Sequence, residues 1–478
     1  MKNVLSCLLL LVLISCRPAA LSDRAASMDD PWARVGEILA AIQPPVFPEN
    51  TFDIADYGAL PDGKTDCLPA IRAAIQACEA AGGGRVRVPA GAFFVKGPIH
   101  LKSNIDLHIA AGANVKFSTD PQDYLPVVFT RWEGVECYNY SSLIYALGQE
   151  NIAITGAGTL DGQASNANWW SWSGKKEYGW QPGMPSQADP LCRPRLYGWN
   201  DRETPLEERI LGEGGYLRPN FIQFYQCNNV LIEGVTLRNS PMWIMHPVLC
   251  ENVSVKGVKV ISHGPNSDGC DPESCNNVLI ENCYFDTGDD CIALKSGRNQ
   301  DGRRINRPIE NVVVRDCEMK DGHGGVVIGS EVSGGARNIF AENCVMDSPN
   351  LDRALRIKTN KLRGGRIENL YFRNITVGEV KEAVLRINMH YEIISDSSEG
   401  YIPEVENIFV ENVTAAKSKY GILIEGYDAA HPVKNVHLKN CRFDGVAAGN
   451  SITFGLGLHF ENFFLNGQLL ENPAKDAK

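Results

Sequence analysis

The chain has 478 residues, of which 44% are hydrophobic, 22% charged and 8% aromatic. This composition is typical of a globular protein and excludes collagen, a coiled coil and wholesale disorder. The one long apolar run lies at the very start, so a polytopic membrane protein is excluded as well. The net charge of -11 argues against a nucleic-acid partner, because binding phosphates needs a cationic surface. An acidic substrate stays possible, since a basic cleft can lie on an acidic protein.

Residues 1–16 are predicted to be a lipoprotein-type signal peptide. A short positive start precedes an apolar stretch, residues 4–14, that is too short to span a bilayer. The stretch ends in Leu13-Ile14-Ser15-Cys16, which resembles a bacterial lipobox with Cys16 as the lipidated residue. An ordinary secretory signal with a chance cysteine is the alternative. In both cases we expect an exported protein of the periplasm or cell surface, with membrane contact only through the lipid.

Two helices are predicted before the main domain becomes regular. Residues 17–46 are interpreted as a tether and a short helix, which begins after Asp29-Asp30-Pro31 and ends before Pro44. Residues 66–80 form an amphipathic pattern after a capping aspartate, and the glycines at 82–84 end it. Its apolar residues share one face: Leu68, Ile71, Ile75 and Cys78. The glycines follow a helix and lack a lysine-serine sequel, so they are not a phosphate-binding loop.

A short pattern recurs nine times and each copy opens with an asparagine. Apolar residues follow at +1 and +3, an Asn, Asp or Gly at +5, and another apolar residue at +6. The opening residues are Asn151, Asn229, Asn252, Asn277, Asn311, Asn338, Asn369, Asn407 and Asn435. Positions +1 and +3 have the period of a half-buried strand, and position +5 takes residues that tolerate a left-handed bend.

The repeat predicts a right-handed, single-stranded parallel β-helix over residues 47–470, in one elongated domain. A leucine-rich repeat would need a leucine consensus and a near-constant period, and this chain has neither. We expect the helix at 66–80 to cap the amino-terminal end of the coil stack.

Fifteen cysteines are present, two of them in the predicted signal peptide. Four occupy the inward +6 position of the repeat, where they are expected to be free, buried and apolar in character: Cys283, Cys317, Cys344 and Cys441. A disulfide elsewhere, such as Cys270–Cys275, stays open in a protein that we expect to be exported. No metal site is predicted from the cysteines.

Polar side chains recur after the bend in four successive coils, where the apolar pattern would otherwise resume. They are Asp268, Asp289, Asp290, His323, Arg356 and Lys358. Crowded carboxylates cannot all ionise easily, so at least one pKa should be raised. An acid beside an ionised partner suits glycoside hydrolysis, and an arginine fork with a lysine suits a substrate that carries carboxylates, such as a uronic acid. The non-catalytic alternatives are a turn or a calcium site at Asp289-Asp290 and a structural role for His323.

The same residues form four motifs of glycoside hydrolase family 28, which the chain resembles over about residues 47–465. They are Asn266-Ser267-Asp268, Gly288-Asp289-Asp290, Gly322-His323-Gly324 and Arg356-Ile357-Lys358. Ser267 replaces the usual threonine and keeps its hydroxyl. The family contains the polygalacturonases and related pectin hydrolases. The segment from Gly329 to Gly335 is closest to its exo-acting bacterial members.

The resemblance implies hydrolysis of galacturonic acid linkages in a pectic polysaccharide or oligogalacturonide, with inversion and without a metal or an organic cofactor. It implies that Asp289 is the general acid and that Asp268 and Asp290 position and deprotonate the attacking water. His323 would tune the acid. Arg356 and Lys358 would hold the galacturonate carboxylate.

Further substrate contacts are predicted at Lys295, Arg218 and His246, with a surface role as the alternative for Lys295. Trp243 is either part of a sugar subsite or a core aromatic.

Residues 163–217 are too long for a coil loop and contain five tryptophans, so we expect them to stack on sugars or to close one end of the cleft. Closure would make the enzyme exo-acting. We expect a monomer.

Three other functions stay open from the sequence. A galacturonohydrolase directed at rhamnogalacturonan would share the motifs. A calcium-dependent pectate lyase also uses a β-helix with acidic clusters and a basic residue, and its unsaturated products and sensitivity to a chelator would reveal it. A non-catalytic glycan-binding lipoprotein would bind without turnover.

Overall fold

The computed structural model describes residues 30–392 and 400–472. The predicted signal peptide and Cys16 lie outside the described residues. Within these two ranges no helix is long and apolar enough to cross a membrane.

Three parallel sheets wind along one axis and form the predicted parallel β-helix. Parallel strands joined by crossovers in this way give a right-handed coil. The first sheet has 13 strands: Thr51–Asp53, Gly84–Val88, Ile105–Ile109, Glu150–Gly156, Asn228–Glu233, Glu251–Lys256, Asn276–Glu281, Ile309–Arg315, Ala336–Glu342, Arg366–Arg373, Glu404–Glu411, Val433–Lys439 and Gly455–Glu461.

The second sheet has 14 strands, of which the last pairs antiparallel. They are Asp62–Asp66, Gly91–Val95, Ala113–Phe117, Thr159–Asp161, Thr236–Arg238, Lys259–Ser262, Tyr284–Thr287, Glu318–Met319, Val345–Met346, Thr376–Glu379, Thr414–Lys417, Arg442–Phe443, Phe463–Leu465 and Gln468–Leu470.

The third sheet has a four-stranded and a six-stranded part, which single β-bridges at Cys270 and Glu273 connect. The strands are Ile99–His100, Ile144–Leu147, Ile222–Tyr225 and Met245–Val248, then Ile292–Leu294, Val326–Gly329, Arg353–Lys358, Ala383–Asn388, Tyr420–Glu425 and Ser451–Thr453. A separate antiparallel hairpin, Val128–Trp132 with Val135–Asn139, lies outside the coil.

The repeated asparagines stack on one another through their side-chain amides. Asn229 Nδ2 donates to Asn151 Oδ1 at 3.0 Å, and Asn252 Nδ2 donates to Asn229 Oδ1 at 3.2 Å. The predicted left-handed bend at +5 is confirmed, for example at Asn282 with φ 56°. The opening asparagines are also left-handed, as at Asn229 with φ 54°. Each of the nine copies therefore has two left-handed positions where the strand pattern indicated one, because the amide ladder holds the opening asparagine.

All thirteen cysteines of the described part are free and buried. Cys270 and Cys275 are not joined, so the disulfide left open by the sequence is absent there. The four cysteines at the +6 position are at most 2% exposed, which confirms their packing role. A second ladder runs through Cys227, Cys250 and Cys275, in which each backbone N–H points to the next thiol at 3.4 Å.

Four α-helices decorate the coil: α1 (Ala33–Ala41), α2 (Leu68–Ala80), α3 (Arg193–Asp201) and α4 (Asn299–Ile305). Short 3-10 turns cover Ile54–Tyr57, Pro121–Tyr124, Trp169–Ser173, Lys176–Tyr178 and Leu206–Glu208. The predicted face of α2 is buried throughout, and Asp66 Oδ1 caps its start by accepting the Leu68 N–H at 2.9 Å.

Helix α1 is the short helix predicted after the tether, and it packs on the coil. Its buried residues Val35 and Ile38 contact Leu279, Val313 and Phe340 on the outer face of the first sheet. These strands belong to the coils that also carry the polar motifs. The predicted short helix is thus part of the folded domain.

A wall of added structure covers the third sheet on the amino-terminal side of the motif coils. The hairpin contributes Arg131, which is fully buried and pairs with Glu273 at 3.1 Å. Residues 163–217 pack against helix α4 and the residue before it: Asn200 accepts from the Asp301 N–H at 2.8 Å, and the Arg298 guanidinium lies 3.8 Å from the Tyr197 ring centre. Helix α4 in turn contacts the hairpin, where Asp301 Oδ2 accepts from the Glu136 N–H at 2.8 Å. We call the hairpin, residues 163–217 and α4 the amino-terminal wall.

Candidate active site

The register of the third sheet brings the motifs together. Cys270 bridges Ile292, and Ile292 pairs with Val326 in the next coil. Asp268 and Asp290 each lie two residues before these paired positions, so the two carboxylates stack one coil apart. The sequence prediction that successive coils share one polar face is confirmed by this register.

The motif glycines are explained by close backbone approach between coils. A Cβ at Gly288 would lie 2.4 Å from the Gly264 carbonyl oxygen, and one at Gly322 would lie 2.6 Å from that of Asp289. A Cβ at Gly324 would lie 3.3 Å from Asp290 Oδ1. The glycines therefore let the coils stack tightly and keep space around the carboxylates.

One carboxylate oxygen from each of Asp268, Asp289 and Asp290 lies within 4.8 Å of the others. This spacing is shorter than the roughly 6.5–9.5 Å that most inverting glycosidases keep between their two carboxyl groups. Inversion is a prediction from the family resemblance, and the product configuration tests it.

Asp290 is fully buried between two cations. Lys358 Nζ lies 2.6 Å from its Oδ2, and Arg356 Nη1 lies 3.2 Å from its Oδ1. Burial by itself would raise the pKa of Asp290, but the charges of Lys358 and Arg356 outweigh it and lower the pKa. The Tyr391 ring, which the sequence analysis missed, lies 5.2 Å from both cations.

Asp289 is the catalytic candidate that solvent reaches, with 18% of its side chain exposed. His323 Nδ1 lies 3.0 Å from Asp289 Oδ1. Burial opposes ionisation of Asp289, yet the hydrogen bond and charge of His323 prevail and lower its pKa. The hydrogen bond to Asp289 in turn raises the pKa of His323. Both shifts favour a proton on the imidazole beside an ionised Asp289.

Asp268 has the raised pKa that the crowding of carboxylates predicts. Burial is the main cause, followed by the neighbouring charges of Asp271 and Asp289. Lys295 Nζ lies 3.8 Å from Asp268 Oδ2 and 3.2 Å from Glu331 Oε2, with 2% of the lysine exposed. Lys295 therefore belongs to the acidic cluster, and its alternative surface role is wrong.

Arg218 and His246 are fully buried, so neither can touch a sugar directly in this conformation. Arg218 donates to the carbonyls of Pro241 and Pro265 and to Asn266 of the first motif at 2.7 Å. His246 donates from Nε2 to Glu273 at 2.8 Å. Their predicted substrate contact is corrected to a positioning role, because the amino-terminal wall covers this part of the sheet.

The aromatic insertion at residues 163–217 lies next to the motifs, but much of it is core. Trp169 and Trp199 are buried and do not offer a face to a sugar. Trp170 Nε1 donates to the Ser240 carbonyl at 2.9 Å, and a Cβ at Gly264 would lie 2.3 Å from that nitrogen. Burial raises the pKa of Tyr178, and the nearby charge of Asp289 contributes to the increase. The insertion thus borders the catalytic candidates.

Trp243 is a core aromatic with 3% of its surface exposed. Lys295 Nζ lies 4.4 Å from its ring centre, and the His246 ring packs edge-on at 4.9 Å. Trp243 therefore supports the cluster from behind.

Among residues 30–392 and 400–472, two groups of ligand-type atoms are close enough to hold a cation. One is the Asp268, Asp289 and Asp290 group, and the other is His263 with Asp286 and Asp321. In the first group Asp290 already faces Lys358 and Arg356, which supply the positive charge that a metal would bring. The residues present therefore fit a calcium site poorly.

Comparisons with known proteins agree with the motifs. The profile of Glycosyl hydrolases family 28 matches residues 209–453, and one named Rhamnogalacturonase A/epimerase, pectate lyase-like, matches residues 51–118. The chain is 30% identical over 364 residues to a probable polygalacturonase of Vitis vinifera, covering 73% of this chain and 66% of that protein. It is 28% identical over 357 residues to an exo-poly-alpha-D-galacturonosidase of Dickeya chrysanthemi, covering 72% and 57%. Less than two thirds of the length of either relative is therefore matched.

The crystal structure of a hyperthermoactive exopolygalacturonase from Thermotoga maritima is similar over nearly the whole chain. The sequences are 47% identical, the TM-score is 0.88, and the match covers 92% of this chain and 97% of that one. With this likeness, and with a family profile that spans slightly more than half of its residues, the chain belongs to glycosyl hydrolases family 28.

Proposed function

We propose that this protein is a glycosidase that hydrolyses galacturonic acid linkages from the ends of pectic chains, with inversion. The observation that carries the proposal is the group of three carboxylates within 4.8 Å of one another, beside the cations Arg356 and Lys358. Carboxylates supply acid and base for glycoside cleavage. The cations select a sugar that carries a carboxylate.

In the proposed reaction Asp289 protonates the leaving glycosidic oxygen. Its proton comes from His323, whose Nδ1 lies 3.0 Å away. Asp290 and Asp268 orient a water and accept its proton while the hydroxide adds to the anomeric carbon. One proton leaves the Asp289–His323 pair and one enters the opposite carboxylates, so the step is balanced.

The exo-action is supported by the amino-terminal wall. Residues 163–217 reach the coil just before Asp268, where Trp170 bonds to Ser240, and the hairpin covers the third sheet behind Glu273. A chain that extends from the reaction centre in this direction would meet packed side chains. We therefore expect the wall to stop an internal segment, so that only a chain end reaches the carboxylates.

A product profile by mass spectrometry tests the proposal. Polygalacturonan and rhamnogalacturonan oligosaccharides are digested separately, with Asp289→Asn as the control. We expect saturated monomeric galacturonate from one of the two, absent with the variant, because hydrolysis adds water and the wall admits one end. Mixed oligomers would contradict exo-action. Unsaturated products that vanish in chelator would show a lyase, and tight binding without any product would show a glycan-binding protein.

The anomeric configuration of the first product tests inversion. Proton NMR of a fresh digest of an α-linked substrate is expected to show the β-anomer before mutarotation, because direct attack by water reverses the configuration. An initial α-anomer would indicate a covalent intermediate, and it would agree with carboxylate oxygens that lie within 4.8 Å of one another.

The pH dependence is expected to change in His323→Asn. Asp289 raises the pKa of His323, so the wild-type pair keeps its proton as pH rises until the histidine titrates. Without the imidazole, Asp289 is the only group that can hold the proton, and a carboxyl group releases it at a lower pH. The alkaline limb of the kcat/KM profile is then expected to move to lower pH, and kcat/KM at neutral pH is expected to fall about 10–100-fold. The profile is measured from pH 4 to 9. An unchanged alkaline limb would contradict the proton-donor role of His323.

A further inference from the structure

Asp271 is a buried carboxyl group that none of the assigned roles uses. It has no exposed surface, and within the described residues neither of its oxygens has a hydrogen-bond partner. Leaving such a group unpaired destabilises the folded protein, so its presence calls for an explanation. Asp271 lies three residues after Asp268 and one after the bridge residue Cys270.

Within the described residues, Lys295 is the only cation within 4.0 Å of Asp271, and other carboxylates share it. Lys295 Nζ lies 3.7 Å from Asp271 Oδ1 and 3.8 Å from Asp268 Oδ2. The same ammonium lies 3.2 Å from Glu331, which also faces Arg298 at 3.4 Å. Lys295 thus stands between three carboxylates, and the arginine partly neutralises one of them.

The charge balance favours a single negative charge on Asp268 and Asp271 together. Asp289 and Asp290 face the pair from the next coil and add negative charge, while Lys295 offers one positive charge. Two buried carboxylates that share one cation retain a proton that isolated carboxylates would lose. Burial raises the pKa of Asp271, as it does that of Asp268.

We propose that Asp271 is a positioning residue of the reaction centre, which shares one proton with Asp268 through the Lys295 site and thereby sets the pH at which Asp268 becomes a base. This inference rests on the proposed function. The geometry that carries it is the common ammonium at 3.7 and 3.8 Å and the two unpaired oxygens of Asp271. Asp271 has no exposed surface, and in this proposal it acts only through Asp268.

Asp271→Asn tests the proposal through the pH profile of kcat/KM, which reports groups of the free enzyme. The amide keeps the shape and removes the shared proton site, so Asp268 should ionise more readily. We expect the acid limb to move to lower pH by about one unit. Asp106→Asn is the matched control: Asp106 is 1% exposed but bonds to Arg85 and Thr155 on distant coils, and its variant should leave the limb in place.

The outcomes separate this inference from the function on which it rests. If the wild-type protein turns over no pectic substrate, the proposed function fails. If the wild type is active and the pH profile of Asp271→Asn coincides with the wild-type profile after both are normalised to their maxima, the inference fails. Infrared titration of the wild-type protein covers the case of a variant that does not fold. A protonated carboxyl band that persists at neutral pH supports the shared proton, and its absence overturns it.

Discussion

Asp289→Asn is expected to lower kcat on polygalacturonan by about 10³-fold, with a much smaller change in KM. Loss of a general acid costs about 10²–10⁴-fold, and Asp289 is the candidate that combines solvent access with a histidine partner at 3.0 Å. The amide cannot deliver a proton to the leaving oxygen. Steady-state kinetics at the pH optimum of the wild type measure both constants.

The chain offers a matched control three residues away. Asp286 lies 3.0 Å from His263, the same distance as in the Asp289 pair, and has 26% of its side chain exposed. Asp286→Asn therefore removes an equivalent carboxylate–histidine contact outside the reaction centre. We expect its kcat to stay within about twofold of wild type, because exposed pairs contribute little. Comparable losses in both variants would show that the Asp289 effect is structural.

The fold could be predicted because one physical rule repeats in every coil. Alternating apolar residues and a residue that tolerates a left-handed bend determine where each strand begins and ends. The pattern did not show that the opening asparagines, such as Asn229, are themselves left-handed. That conformation depends on amide stacking between coils, as from Asn252 to Asn229, and stacking joins residues that are far apart in sequence.

The structure brings the predicted residues together where they lie in one register, and the prediction was incomplete where packing decides. Asp268, Asp290 and Arg356 converge because the third sheet aligns their coils. Asp271 was missed, although its position one residue after the inward Cys270 places it on the outward face of the sheet. Glu331 was quoted only as part of a family-like segment, and its pairing with Lys295 could not be read from spacing.

Two predicted substrate contacts failed for the same reason. Arg218 and His246 lie on or beside the third sheet, where an open cleft would expose them, but the hairpin Val128–Asn139 and residues 163–217 cover them. The sequence contains the hairpin without showing where it docks. Docking depends on buried charges such as Arg131 with Glu273, and each partner alone resembles a surface residue.

Arg356→Lys is expected to raise KM for polygalacturonan by about 30-fold, since a charged hydrogen bond contributes about 1.5–3 kcal/mol and lysine keeps the charge without the fork. In the unliganded protein Arg356 and Lys358 are held by Asp290 at 3.2 and 2.6 Å. A galacturonate carboxylate competes for these cations. As it draws them away, the pKa of Asp290 should rise, which makes Asp290 a better base when the correct sugar is bound.

This coupling predicts discrimination against methyl-esterified substrate in kcat as well as in KM, and Arg356→Lys should reduce that discrimination. Arg386 pairs with Arg356 in register one coil further on, where Glu425 holds it at 2.5 Å, so Arg386→Lys is the matched control with an expected change of less than about threefold. Kinetics on free and esterified oligogalacturonides measure both effects. Equal losses of Arg356→Lys on the two substrates would show that Arg356 holds Asp290 in place without recognising the carboxylate, and the selection of a uronic acid would then depend on Lys358 alone.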